Sequence, residues 1–253
     1  MRILITGSRG FIGSHLKRKL ESAGHEIIEW DHKIDKAIEN FQLGDAEYVI
    51  HMAAWADVRN SIVEPQLYWD NNITNTTNIQ KLCYNANVPL IYASSSCIHE
   101  WHKSPYGISK KVNEETAFIG QIGLRFTTVY GGEGAGRGMF MDRLKDRSLE
   151  WVTNHVRDFV HIDDVVNAIT LLMSQPFHYS LNPAYDIGTG KGYVVSELAQ
   201  AGGYAVEPYE GDECEALDNT ADITEIKKLG WEPKVELDCG LERTIEYFTD
   251  RFK

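Results

Sequence analysis

Short apolar runs and longer mixed stretches alternate along the first half of the chain. Arg2 to Thr6, Glu26 to Trp30, Tyr48 to Met52 and Leu90 to Ala93 are apolar runs bounded by polar segments. Strands buried on both faces need apolar residues at nearly every position, so each run reads as a strand of a parallel sheet. Phe11 to Ser22 and Leu67 to Asn85 instead repeat apolar residues at helical spacing. Alternating strands and helices predict an α/β fold, and right-handed crossovers make it a doubly wound sheet. After about Trp151 the pattern loosens into short strands and helices. LGWEP from Leu229 reads as a turn, and a last helix is expected over roughly 238–248. The glycines between Gly131 and Gly138 mark a loop near the passage from one region to the other. We therefore expect a domain over 1–150 and a smaller α+β region over 151–253, partly interleaved with it.

The turn after the first strand is GSRGFIG, with Gly7, Gly10 and Gly13. Gly7 permits a tight turn, Gly10 lets backbone approach a pyrophosphate, and Gly13 lets the helix lie close to the sheet. The helix N-terminus then offers N–H groups and a partial positive charge to phosphates. Asp31, at the end of the second strand, suits the hydroxyls of an adenosine ribose and disfavours a 2′-phosphate. Strand, glycine loop, helix and acid together predict a Rossmann-type dinucleotide site for NAD. Arg9, inside the loop, is the feature that keeps NADP as the lesser alternative.

Composition narrows the partners. The 253 residues carry a formal net charge of −12, which argues against nucleic acid and anionic membrane surfaces. Cys83, Cys97, Cys214 and Cys239 form no metal-ligand spacing, and no apolar run could span a bilayer. A reduced, cytoplasmic protein is expected. The nine histidines show no ligand spacing, so no metal is expected and they read as core or capped residues. The acidic stretch EGDECEALD from Glu210 reads as a solvated loop.

Tyr106 and Lys110 stand four apart in SPYGISKK, on one face of a helix. A phenol must lose its proton more easily than at its usual pKa of about 10 to act as a base near neutrality. A neighbouring ammonium and a nicotinium charge would help. Ser94, Ser95 and Ser96 follow the fourth strand, whose carboxyl end faces the ligand crevice.

These motifs together resemble the extended short-chain dehydrogenase/reductase family, in particular the NAD-dependent nucleotide-sugar epimerases and dehydratases. The resemblance runs through TGSRGFIGSH, HMAAWADVRNS, DNNITNT, SSS, YGISK, LRFTTVYG, RDFVHIDD, YDIGTGK and LGWEPKVELDCGL. It implies that Gly7, Gly10, Phe11, Ile12 and Gly13 hold the pyrophosphate and Asp31 the ribose. Ile34 and Asp35 would lie by the adenine, Ala53 and Ala54 would line the dinucleotide site, and Asn72 would lie near the nicotinamide. Tyr106 would be the acid/base, Lys110 its partner, and Ser95 or Ser96 the active hydroxyl, with spacing from Ile98 favouring Ser95. Ser95, Ser96, Thr128 and Arg157 would meet the substrate, Arg157 at its diphosphate. Family members usually form homodimers.

Departures from the family pattern sharpen the activity. Dehydratases and decarboxylases carry an acid one or two places after the active hydroxyl, where this chain has Ser96 and Cys97. Glu100 falls where the family has glycine and reads as a solvated carboxylate. An epimerase acting by transient oxidation needs no such acid, so it leads. A keto-sugar reductase or dehydratase is the alternative. A non-catalytic dinucleotide sensor is the rival of another class, disfavoured by the intact Tyr106 and Lys110. The family's Asn is Thr128 here, and its late Arg is replaced around Pro208 to Glu210. The segments after Asp31 and after Tyr106 are trimmed. Arg137 or Arg143 could supply the missing charge.

Overall fold

A computed structural model describes residues 1–132, 139–176, 181–204 and 207–237. Residues 133–138 of the expected loop from Gly131 to Gly138, including Arg137, and the expected helix over 238–248 lie outside the described residues. In chain order the strands are β1 (Arg2–Thr6), β2 (Glu26–Trp30), β3 (Tyr48–His51), β4 (Leu90–Ser95), β5 (Ile122–Phe126) and β6 (Thr128–Tyr130). They continue as β7 (Val152–Thr153), β8 (Val156–His161), β9 (Ala184–Ile187), β10 (Gly192–Val194) and β11 (Pro208–Tyr209).

Six of them form a parallel sheet in the order β2-β1-β3-β4-β5-β9. Alternation along these strands builds three layers. Ile3, Ile5, Ile50 and Ile91 point into a core with Leu16, Leu20, Val165 and Ile169 of the helices Phe11–Ser22 and Ile162–Ser174. Leu4, Val49, Leu90 and Tyr92 point the other way, onto Ile79 and Cys83 of the helix Thr76–Ala86. This is the doubly wound α/β arrangement expected from the apolar runs.

Smaller sheets, β10-β8-β6 and β11-β7, lie beside it. Buried Asp158 of β8 ties the later segments together. Its carboxylate accepts N–H groups of Thr189, Gly190 and Ala221 and the hydroxyl of Thr189. The LGWEP turn docks on the helix Ile162–Ser174, where the Trp231 indole donates to the Asp164 carbonyl.

The chain runs from β1 outward to β2 and returns to β3 on the other side of β1. At such a switch point the loops leaving two neighbouring strands diverge and open a crevice at their carboxyl ends. Those loops here begin at Gly7 and Met52. Among the described residues no helix is long and apolar enough to cross a membrane.

Candidate active site

The glycine loop is built as its spacing predicts. Gly7 has φ +65°, and its N–H donates to the Trp30 carbonyl at 2.8 Å. A β-carbon on Gly7 would stand 2.8 Å from the Ala53 nitrogen, and one on Gly13 would stand 2.1 Å from the Gly7 carbonyl oxygen. Gly10 caps the helix Phe11–Ser22 and brings no side chain to the N–H groups of Phe11, Ile12 and Gly13. N–H groups at such a helix start suit an anion.

Asp31 is buried, and its two oxygens accept the N–H groups of Arg9 at 2.8 Å and Lys33 at 2.9 Å. A carboxylate has acceptor capacity beyond these two bonds, so a ribose hydroxyl can still be held. Glu29 gathers the neighbouring cations, Lys17 at 2.7 Å and Arg9 at 3.4 Å. The Lys17 hydrogen bond leads the effects that hold its carboxyl below the usual range. Arg9 is thus already paired, which weakens the case for a 2′-phosphate.

A cleft of about 480 Å³ opens between these loops, lined by Gly7, Gly10, Asp31, Ala53, Ala54 and Asn71 among others. Trp30, Lys33 and the segment Lys36 to Glu39 form its outer wall. Ile34 and Asp35 are not in that wall. Asp35 closes the short turn His32–Ile34 in a left-handed conformation, φ 58°. The wall is built instead from Lys36 to Glu39, later in the same loop, which spacing alone did not reveal.

Asn72 is fully buried beside the cleft rather than in its wall. Its amide brackets Trp55, accepting that residue's N–H at 2.9 Å and donating to its carbonyl at 2.8 Å. It also donates to the Ser109 hydroxyl, which donates to the Tyr106 carbonyl. The sequence reads as one helix over Leu67 to Asn85, but residues Tyr68–Asn75 are wound more loosely, as π-helix. Asn72 lies within this stretch, whose hydrogen bonds span one residue more than those of an α-helix.

Ser104 and Pro105 start the helix that carries Tyr106 and Lys110. The Ser104 hydroxyl accepts the Gly107 N–H at 3.0 Å, and Pro105 occupies the first turn. Both side chains are buried. Burial is the main cause that pushes the Tyr106 phenol above its ordinary pKa, with the Cys97 thiol second, while the Ser95 hydroxyl pulls it down. The chain's own groups therefore do not lower the phenol by themselves, and the sequence reading counts on a nicotinium charge as well. The hydroxyl beside the phenol is that of Ser95, which ends β4 and also accepts the Cys97 N–H at 3.2 Å. Ser96 is buried at the start of the turn Ser96–Lys103.

The Lys110 ammonium donates to the Ala93 carbonyl at 2.8 Å and lies 5.8 Å from the Tyr106 ring centre. Burial pushes it down to about 8. A lysine with a folded pKa below its unfolded value costs stability while it must stay charged. That penalty is complete below pH 8 and fades between pH 8 and 10.5. The stability of the wild type relative to Lys110→Met should therefore rise as pH increases from 7 to 9. Paired denaturant titrations measure it, and a flat difference would show that Lys110 is solvated like a surface lysine.

The helix is braced from behind. Ser94, Arg125 and Asp186 sit side by side on β4, β5 and β9. Glu114, from the same helix as Tyr106, accepts from Ser94 at 2.5 Å and from Arg125 at 2.7 Å. His99 approaches Asp186 at 3.0 Å, and this hydrogen bond is the main cause that raises its pKa.

The other expected substrate residues, Thr128 and Arg157, lie on β6 and β8 and are not in the lining of the cleft. Thr128 accepts from the Asn219 amide at 3.3 Å, so an amide approaches this position from a distant segment. Arg157 donates to the carbonyls of Val156 and Ala216 and faces Glu215 at 3.6 Å. The acidic stretch is not simply solvated, because Asp212 and Glu215 both pair with Arg59. Glu100 likewise pairs with Lys103 at 2.8 Å and accepts the Leu217 N–H. Arg59 and Asn219 had no sequence signal, since their partners lie more than 90 residues away.

The fold, the glycine loop and the Ser-Tyr-Lys arrangement define a short-chain dehydrogenase type of protein. More narrowly, the chain belongs to the NAD dependent epimerase/dehydratase family, whose model matches residues 3–188. A Methanocaldococcus jannaschii protein, provisionally named UDP-glucose 4-epimerase, is 30% identical over 305 aligned positions and 97% of each chain. Those positions outnumber the 253 residues here, so this relative carries segments that the chain lacks. The solved structure of MoeE5 with UDP-glucose and NAD matches with a TM-score of 0.87, at 26% identity over 100% of both chains. The UDP-glucose 4-epimerase of Thermotoga maritima with UDP-glucose matches with a TM-score of 0.82, at 29% identity over 100% of both chains.

Proposed function

We propose that the chain is an NAD-dependent nucleotide-sugar epimerase, acting on a sugar carbon that bears a hydroxyl. The observation that carries this reading is the buried set of Ser95, Tyr106 and Lys110 beside a glycine-lined cleft, with Ser96 and Cys97 where an eliminating enzyme needs an acid. Burial raises the Cys97 thiol, which makes it poorer still as an acid. UDP-sugars are the first substrates to try, since proteins similar to this one are named for them.

Gly7, Gly10, Gly13, the N–H groups of Phe11 and Ile12, and Asp31 would hold the cofactor, with Ala53 and Ala54 along its length. NAD held there would supply a reversible hydride acceptor, with no net redox change, and a positively charged ring. Tyr106 takes the sugar hydroxyl proton at its phenol oxygen and later returns it. Ser95 donates a hydrogen bond to the same sugar oxygen. Lys110 adds positive charge behind the phenol, and Asn72 keeps the Trp55 segment in register with the Tyr106 helix. A homodimer and a cytoplasmic location complete the reading; sedimentation at twice the 28.7 kDa chain mass would support the dimer.

The test is incubation with UDP-glucose, UDP-galactose, their N-acetyl and uronate forms, and the GDP and dTDP sugars. One pair should interconvert without change in absorbance at ~340 nm, because the cofactor is regenerated. A panel in which no pair interconverts, with no NAD released on denaturation, would sink the proposal.

A further inference from the structure

Two arginines converge on one carboxylate, that of Glu215. Arg59 sits on the helix Val58–Val63, just after the HMAAWAD run that lines the cofactor cleft. Arg157 sits on β8 in the smaller sheet. Glu215 lies between them, with one oxygen 2.7 Å from Arg59 Nη2 and the other 3.6 Å from Arg157 Nη2.

Each guanidinium is anchored by its remaining edge. Arg59 Nε donates to Asp212 at 2.5 Å, and its plane lies 4.4 Å from the Trp151 ring centre. Its Nη2 also donates to the Tyr209 hydroxyl at 2.9 Å. Arg157 Nη1 donates to two backbone carbonyls, at 2.9 and 2.8 Å. Both Nη2 groups face the same carboxylate, and His155 Nδ1 lies between Arg157 Nη2 and its second oxygen, 3.1 Å from Arg157 Nη2 and 3.2 Å from that oxygen. Arg157 and Glu215 lie within electrostatic reach of Cys97, and Cys97 within reach of Tyr106. Two planar forks aimed at one point are the donor set that a diphosphate uses best.

We infer that Arg59 and Arg157 form the clamp for the substrate's diphosphate, and that Glu215 occupies this clamp as an internal stand-in until the diphosphate displaces it. The inference rests on the nucleotide-sugar reading and assigns the second cation missing around Pro208 to Glu210 to Arg59. The fit is electrostatic as well as geometric. Asp212 and Glu215 balance the two guanidinium charges, and a diphosphate that displaces Glu215 brings two negative charges in place of one and more acceptor oxygens. The anchored edges keep both arginines in place when Glu215 leaves. The Ala216 and Leu217 carbonyls, which accept from Arg157 and the Val156 N–H, keep the departing segment nearby.

UDP and inorganic pyrophosphate serve as probes, with calorimetric binding to the NAD-loaded protein. Arg59→Ala should weaken UDP by roughly 10- to 100-fold, the range for a lost charge-assisted hydrogen bond. Arg59→Lys should recover part of the loss. Glu215→Gln, which removes the competing charge at nearly the same shape, should tighten UDP at least several-fold. NAD content of the same samples reports on folding. Should Glu215→Gln lose NAD, Glu215→Asp replaces it, and tighter UDP binding again supports the inference. Equal or weaker UDP binding in the Glu215 variant, or unchanged binding in Arg59→Ala, overturns it. So does a wild type that binds neither probe. Pyrophosphate binding that depends on Arg59, in a protein that interconverts no nucleotide sugar, would leave the clamp standing and sink only the epimerase.

Discussion

Tyr106→Phe is expected to keep its fold and its NAD and to lose turnover by roughly 10²- to 10⁴-fold, the usual worth of a positioned proton carrier. The ring rests edge-on against Tyr68, with centres 6.3 Å apart, and Phe preserves that contact. Only the oxygen is removed, and it sits in a buried pocket beside Ser95. Because burial raises the phenol's pKa, the wild type should gain activity as pH rises through the range where substrate and cofactor charge allow the proton to leave. The variant's residual rate should lack that rise. Initial rates on the interconverting sugar pair, with NAD measured after denaturation, check both points. A variant within about fivefold of wild type would remove Tyr106 from the chemistry.

Gly13→Ala is expected to release the cofactor and to lower stability. The added β-carbon would meet the Gly7 carbonyl oxygen at 2.1 Å, its carbon at 2.8 Å and Ser8 Cα at 3.1 Å. These are backbone atoms of the loop itself and cannot swing aside like a side chain. Overpacking of this kind costs about 1–3 kcal/mol, and its relief must shift the backbone at Gly7, which lines the cleft. Gly24→Ala is the contrast. Gly24 has φ +81° but nothing within 4 Å, so it should cost about 1 kcal/mol of backbone strain and leave NAD in place. Melting temperature and bound NAD, measured on both variants, separate a damaged loop from general destabilisation. Retention of full NAD by Gly13→Ala would overturn the reading of this loop as the phosphate cradle.

How far the sequence carried depended on the range of the interaction. β1, β2 and the helix Phe11–Ser22 are set by local apolar pattern and by glycines within one turn, and they fall where the pattern put them. The face shared by Tyr106 and Lys110 follows from helical spacing, and Ser104 and Pro105 mark the start of that helix. Three features were out of reach. The looser winding of Tyr68–Asn75 has no period-breaking residue to announce it. The cleft wall at Lys36 to Glu39 depends on how the loop after β2 folds back. Arg59, Glu215 and Asn219 meet their partners only through the fold, so an acidic run that looked like a solvated loop became half of an ion-pair cluster.

The row of Ser94, Arg125 and Asp186 bears on how this enzyme type can be recombined. β9 enters the sheet from beyond residue 180, and its Asp186 shares Arg125 with Glu114 on the helix of Tyr106. A chimera that exchanges the C-terminal half for that of a relative, to transplant sugar preference, would also exchange the sheet's edge strand and the counter-charge behind the proposed proton carrier. Grafts that keep Ala184–Ile187 of the recipient, and replace only the loops around it, preserve that brace.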